Sequence, residues 1–222
     1  MFEQAIALDD RFAAAYAMLG RTYLTDLAFQ LGQRDATAQQ LLTFAQRAVA
    51  LDDTLPVAHE TLAYAYLGQK EYDQAIAAAQ RAIALDPNSA EAHLTLGEVL
   101  CFSGRPREAL TLVEQAMRLN PRYPAGYLWS LGQVYALLGR TDEAVAALKR
   151  VLIRNPDHVT AHVMLAVIFS ELGRAAEARK EIGEVLRVNP HYSLTDLRER
   201  IPYRDPATLA RIVAGLQKAG LQ

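Results

Sequence analysis

Two histidines four residues apart, His158 and His162, have the spacing of a metal pair, because both rings would share one face of a helix. No glutamate lies between them to act as the general base of a zinc hydrolase. His162 also holds the same place in a periodic pattern as His59 and His93, which points to a packing role: the ring beside a neighbouring helix, one nitrogen on solvent or a backbone group. Cys101, the single cysteine, lies beside Phe102 with no histidine positioned by sequence to activate it, and reads as a small half-buried apolar residue. Acids such as Asp142, Glu143, Glu171 and Glu177 fall on solvent faces or near helix starts, where they favour the helix dipole. The sequence holds no P-loop, GxGxxG or GxSxG pattern, and the Arg105–Arg107 and Arg198–Arg200 clusters are too short for a nucleic-acid stripe. The expectation is therefore a non-enzyme with no catalytic residue, cofactor or metal. A metal-dependent enzyme using His158 and His162 is the minor alternative.

Composition narrows the class. A chain of 222 residues, 51% apolar, can bury a substantial core. Its net charge of −2 argues against nucleic acid, which needs clustered Lys and Arg on phosphates. No run of apolar residues is long enough to insert in a membrane, and the opening MFEQAIALDD carries acids where a secretion signal would be basic. With a lone cysteine, this predicts a cytoplasmic setting.

The elements that must position any site are revealed by repetition. Pro87, Pro121, Pro156 and Pro190 are spaced by 34, 35 and 34 residues, each after an Asp or Asn. Ala75, Ala109, Ala144 and Ala178 keep the same rhythm, and so do Ala63, Gly97, Gly132 and Ala166. Within one period, His93, Leu96, Gly97 and Leu100 share a face of a first helix. After a break at Gly104, Ala109, Val113, Ala116 and Met117 share a face of a second. Small residues allow close helix approach. Gly104 can take the left-handed conformation that ends the first helix, and Asn120 before Pro121 is pushed out of helical geometry. The unit is a helical hairpin whose apolar stripe needs neighbours to cover it.

This pattern resembles the tetratricopeptide repeat (TPR). The resemblance implies an all-α fold, a right-handed superhelical TPR solenoid of antiparallel helix pairs with C-terminal capping helices. Its frame divides the chain into a partial repeat at 1–12 (a second helix only), repeats at 13–55, 56–89, 90–124, 125–158 and 159–192, and capping helices at 193–222. There are departures. Asp10 and Asp53 replace the closing proline, and the aromatic usual at the fourth position is Tyr16, His59, His93, Leu128 and His162 here. The first complete unit is also long, so a longer inter-helix loop is expected between Tyr23 and Leu41, with Thr37 and Gln40 as a capping box for the following helix.

The chain opens inside a second helix, with Phe2, Ala5, Ile6 and Leu8 on its apolar face, which predicts a fragment of a longer polypeptide. After Pro190 the rhythm stops. A short helix, a break at Pro202 and a final helix capped by Asp205–Pro206 are expected, with Leu209, Ile212, Val213 and Leu216 as the closing stripe. This tail and the expanded first repeat are similar to the TPR segments that follow the catalytic domain in bacterial class III adenylate/guanylate cyclases. That resemblance implies a regulatory or assembly module of a signalling enzyme.

The TPR resemblance also implies that first helices line a concave groove. In this sequence it would hold Arg21, Thr25, Glu60, Tyr64, Leu67, Glu91, Leu94, Glu98, Phe102, Trp129, Gln133, Leu137, Val163 and Val167. Only Arg21 could serve a carboxylate clamp, so the expected partner is a protein or peptide segment, amphipathic with some positive charge. Homodimerisation through the N-terminal edge or the convex face is the alternative. Trp129, the single tryptophan, either anchors the partner with Tyr64 and Phe102 or plugs a seam between hairpins. As an anchor, Trp129→Ala should weaken partner binding by roughly 2 kcal/mol with unchanged helicity by circular dichroism. A variant that unfolds instead returns the residue to the core.

Overall fold

Helices of thirteen or fourteen residues are marginal in water when alone, so each must bury a stripe against neighbours. The structure, a computed structural model, describes residues 1–29 and 34–221, and among them every regular element is an α-helix. The chain forms two compact units, residues 1–100 and 101–222. The first contains α1 (Phe2–Leu8), α2 (Ala13–Phe29), α3 (Arg34–Leu51), α4 (Pro56–Gly68), α5 (Tyr72–Leu85) and, as far as Leu100, α6 (Ala90–Phe102). Here α2 pairs with α3 and α4 with α5, while α4 also lies against α2 and α3, and α1 against α2. The second contains α7 (Pro106–Leu119), α8 (Ala125–Leu137), α9 (Thr141–Arg154), α10 (Val159–Glu171), α11 (Ala175–Val188), α12 (Leu194–Arg200) and α13 (Pro206–Lys218). In it α8 pairs with α9 and α10 with α11, α7 packs on α8, α10 meets α8 and α9, and α13 lies on α10.

The small-residue series sits where helices meet. Ala63, Ala75, Ala109, Ala144, Ala166 and Ala178 are all fully buried. A Cβ added at Gly132 would stand 2.8 Å from Leu148 Cγ, and one at Gly20 would stand 2.9 Å from Thr61 Cγ2. Helix α8 therefore approaches α9, and α2 approaches α4, as closely as a missing side chain permits. The larger core of the second unit gathers Leu128, Leu148, Leu165, Phe169, Ile182 and Ile212.

The turn inside each hairpin is closed by a repeated backbone device. Lys70, Gly139 and Gly173 hold φ of 62°, 72° and 71°. After each, the next N–H reaches five residues back to a carbonyl: Glu71 to Tyr66 at 2.9 Å, Arg140 to Tyr135 at 2.9 Å, Arg174 to Phe169 at 2.8 Å. This Schellman closure satisfies helix-end carbonyls that would otherwise lack donors. Gly104 takes the left-handed conformation at the corresponding place, with φ of 82°. Lys70 carries a side chain where its counterparts are glycine, a conformation that L-residues resist.

The turn between hairpins depends on the Asp or Asn more than on the proline after it. The side chains of Asp9, Asp52, Asp86, Asn155 and Asn189 each accept the N–H two residues on, at 2.9 to 3.2 Å. Such Asx turns form with or without the proline, so Asp10 and Asp53 are tolerated. The long first unit differs from expectation. Its extra residues extend the helices, since α2 continues to Phe29 and α3 begins at Arg34. Thr37 is consequently a buried residue inside α3 and not its N-cap. Good helix formers such as Leu27, Ala28, Ala36, Ala38 and Gln39 carry both helices past the usual length.

Relief of the left-handed strain at Lys70 is offset in part by the backbone freedom of glycine, so Lys70→Gly should raise unfolding free energy by about 0.5–1 kcal/mol. Gly139→Ala should lower it by about 1 kcal/mol. Urea titration of the two variants beside wild type checks both. A Lys70→Gly chain no more stable than wild type would show that the lysine costs nothing there.

Candidate functional site

In the first unit, α2, α4 and α6 bring five of the expected groove residues into a polar network. Arg21 Nη1 lies 3.1 Å from Glu60 Oε2 and Nη2 lies 3.7 Å from Glu91 Oε2. Burial pushes the Glu60 carboxyl up; Arg21 pulls it back, and Glu91 pushes it further. Tyr64 donates its hydroxyl to Glu98 at 2.7 Å and accepts one from Thr95 at 3.4 Å. Burial pushes the Tyr64 phenol well up, the charge of Glu98 adding to it, so Tyr64 stays a donor. Two carboxylates thus converge on one guanidinium, and a third holds the Tyr64 hydroxyl. Leu67 and Leu94 are buried at 4% and 6% exposure and serve helix packing instead of lining a surface. The side chain of Thr25 lies outside the described residues.

In the second unit, the C-terminal segment covers the expected groove positions. The Tyr203 ring sits 5.0 Å from the Phe102 ring, and Gln133 Nε2 donates to its hydroxyl at 2.8 Å. The Arg204 N–H donates to the Phe102 carbonyl at 2.9 Å. Helix α13, whose N-cap Asp205 accepts the N–H groups of Ala207 and Thr208, buries Ile212, Val213 and Leu216 in one cluster with Val163 and Val167. A Cβ at Gly215 would lie 3.3 Å from the Val167 Cα, so α13 rests almost on the α10 backbone. Arg211 reaches Glu171 at 3.3 Å. Leu137 is half-buried against this core. So is Trp129, with its ring 6.5 Å from His158 and its indole N–H buried without an acceptor. Trp129 thus packs against the same cluster while staying half-buried. The signal for a covered groove was present in α10 itself: VTAHVMLAVIFSE is apolar on nearly every face, and Ala161 to Phe169 are all buried. A helix of that kind needs cover all round.

The family profile described as "Tetratricopeptide repeat" matches residues 66–131 and 135–196, and a second profile of the same description matches residues 24–90. The chain belongs to the tetratricopeptide-repeat family. Among solved structures, this TPR chain is similar to PilW, described as a widely conserved type IV pilus biogenesis factor, with 22% identity, a TM-score of 0.68, and coverage of 93% of this chain and 88% of that one. It is also similar to a thermophilic TPR protein of Thermus thermophilus, with 24% identity, a TM-score of 0.67, and coverage of 92% and 99%. The TPR protein YrrB, described as having an unusual peptide-binding site, matches at 20% identity and a TM-score of 0.52, covering 86% of this chain and 94% of that one. At these identities the likeness concerns the fold. A curated relative, the putative adenylate cyclase 3 of Rhizobium meliloti (strain 1021), is 50% identical over 38 residues, which is 17% of this chain and 6% of that protein.

The histidines at the fourth position of these TPRs bond to backbone. His59 Nε2 lies 2.9 Å from the Asp53 carbonyl, and His93 Nδ1 lies 2.9 Å from that of Ser89. His162 goes further: Nε2 meets the Pro156 carbonyl at 2.8 Å and Nδ1 meets Glu181 Oε2 at 2.6 Å. Both partners only accept, so both ring nitrogens must donate, as only imidazolium can. Burial alone would lower its pKa, but the Glu181 and Pro156 bonds together outweigh that and hold it above 6.5. His158 is the opposite case. Its Nδ1 accepts from the Ala161 N–H at 3.3 Å as the N-cap of α10, and burial, with the neighbouring His162 charge, lowers its pKa. The two rings have separate structural tasks and no shared vacant nitrogen pair.

The His162 contribution has a definite sign. It is fully present below the unfolded value of about 6.5 and is lost as pH rises through the higher folded value. Wild type should therefore lose more stability between pH 6 and pH 9 than His162→Gln does, measured by denaturant titration at each pH. Parallel profiles would show that the ring is not charged in the folded chain.

Proposed function

We propose that this TPR chain is a protein-interaction scaffold that takes a cationic, amphipathic segment of another protein along α2, α4 and α6. The observation that carries this reading is the preponderance of acid among the groove residues: Glu60 and Glu91 converge on Arg21, Glu98 holds Tyr64, and part of that charge is withdrawn from water. A Lys or Arg from a ligand would be attracted by the net negative charge of this set, and an apolar partner face would settle over the aromatic Tyr64. The TPR family supports a scaffold role in general, and a protein of this fold is described as binding peptide. The short cyclase match motivates a finer reading, a cytoplasmic regulatory segment of a nucleotide cyclase. No described helix is long and apolar enough to cross a membrane.

A second reading, self-association, is favoured by the apolar side chains on and beside α1. Leu8 is 91% exposed and Phe12 47%, and no residue of α1 is buried. Sedimentation across a concentration range, with Leu8→Glu as the comparison, separates this reading from the first.

The groove is tested by fluorescence anisotropy with two labelled amphipathic helical peptides, identical except that one carries Lys where the other carries Glu. The cationic peptide should bind wild type and weaken by about tenfold or more with Glu91→Lys/Glu98→Lys, the interaction also falling as salt rises. Equal binding of both peptides would overturn the proposed charge selection.

A further inference from the structure

The surface in the second unit that would take a ligand is already occupied by the chain. We propose that residues 201–219 are an intramolecular ligand of the second unit, exchangeable for an extended segment of another polypeptide that brings its own aromatic anchor.

Three features of the contact are those of a bound peptide. The approach runs through the non-helical residues 201–205, and the Arg204 N–H is spent on the Phe102 carbonyl at the end of α6, a group that the helix leaves without a donor. A single aromatic side chain, Tyr203, enters between Phe102 and Gln133 and is buried to 8% exposure. The helix that follows docks through one glycine, Gly215, whose close approach to Val167 sets the fit.

Occupancy by the tail is also incomplete. Gln133 is 1% exposed, yet its Oε1 has no hydrogen-bond partner, and the buried Trp129 Nε1, one turn earlier on α8, has none either. A buried polar atom left unpaired is costly, and a ligand that satisfied Gln133 Oε1 would gain what the tail forgoes. A polypeptide backbone offers the group that Gln133 Oε1 requires, an N–H. Because α10 is apolar on nearly every face, the tail leaves by exchange with such a segment and not by leaving the groove bare.

Hydrogen exchange of the full chain, read by mass spectrometry, tests the inference together with binding of a labelled synthetic peptide reproducing residues 200–219. In wild type, α13 should exchange at least tenfold faster than α8 to α11, through local opening. Gly215→Leu, which pushes α13 from Val167, should remove protection from 201–219 alone and tighten peptide binding at least tenfold over wild type. Tyr203→Phe is the milder companion variant, which keeps the ring and should lower protection of the tail by roughly fivefold. Should α13 exchange in step with α8 to α11 in wild type and in Tyr203→Phe, the tail is fixed core and the proposal fails. It fails equally if the folded Gly215→Leu chain binds the peptide no better than wild type.

Discussion

The constraint on which this molecule rests is that no helix in it can stand alone. At thirteen or fourteen residues, each one from α4 to α11 gains its stability from contact, not from its own hydrogen bonds. Close contact demands small residues at the crossing, which explains why glycine or alanine recurs at Gly20, Ala63, Gly132 and Ala166 and why Ala75, Ala109, Ala144 and Ala178 are fully buried. Once two helices lie this near each other, the chain joining them must reverse within a few residues, and that requirement selects the turn chemistry.

Both reversals use backbone chemistry that tolerates substitution. The left-handed closure survives a lysine at position 70 because the five-residue hydrogen bond from Glu71 to Tyr66 is kept. The Asx turn survives loss of proline at positions 10 and 53 because the carboxylates of Asp9 and Asp52 still accept the N–H two residues on. Around these turns the ion pairs Arg105–Glu108, Arg140–Glu143 and Arg174–Glu177 recur at the start of the second helices. Exposed pairs of this kind contribute little energy. The guanidinium groups of Arg140 and Arg174 also lie over the rings of Tyr135 and Phe169, at 4.4 and 4.6 Å, which ties each second helix to the first one of its hairpin.

What could be read from the residues follows from this. Helix pairing was legible because period, small residues and turn residues all act locally and agree. The length of the first hairpin was not, since helix propensity between Tyr23 and Leu41 competes with the expectation of a loop. Likewise Lys70 hides a left-handed turn because its residue type argues against one. The site divides in the same way. Arg21, Glu60, Tyr64, Glu91 and Glu98 come together as the register of first helices requires. The pairing of Gln133 with Tyr203 spans seventy positions in the chain, and no local rule joins them. Nor does spacing reveal Glu181 as the partner of His162, a contact made across the hairpin turn.

The two units therefore apply one architecture to groove positions of different polarity, and the difference begins in their first helices. In α4 a buried carboxylate is kept by a neighbouring guanidinium, which offsets the cost of withdrawing it from water. In α10 the same register holds Val163 and Val167, and exposing both would cost apolar burial. An all-round apolar helix must recruit a further element, and the final helix, with Gly215 against Val167, is shaped to be that element. The cover over α10 thus follows from the polarity of a few positions on that helix.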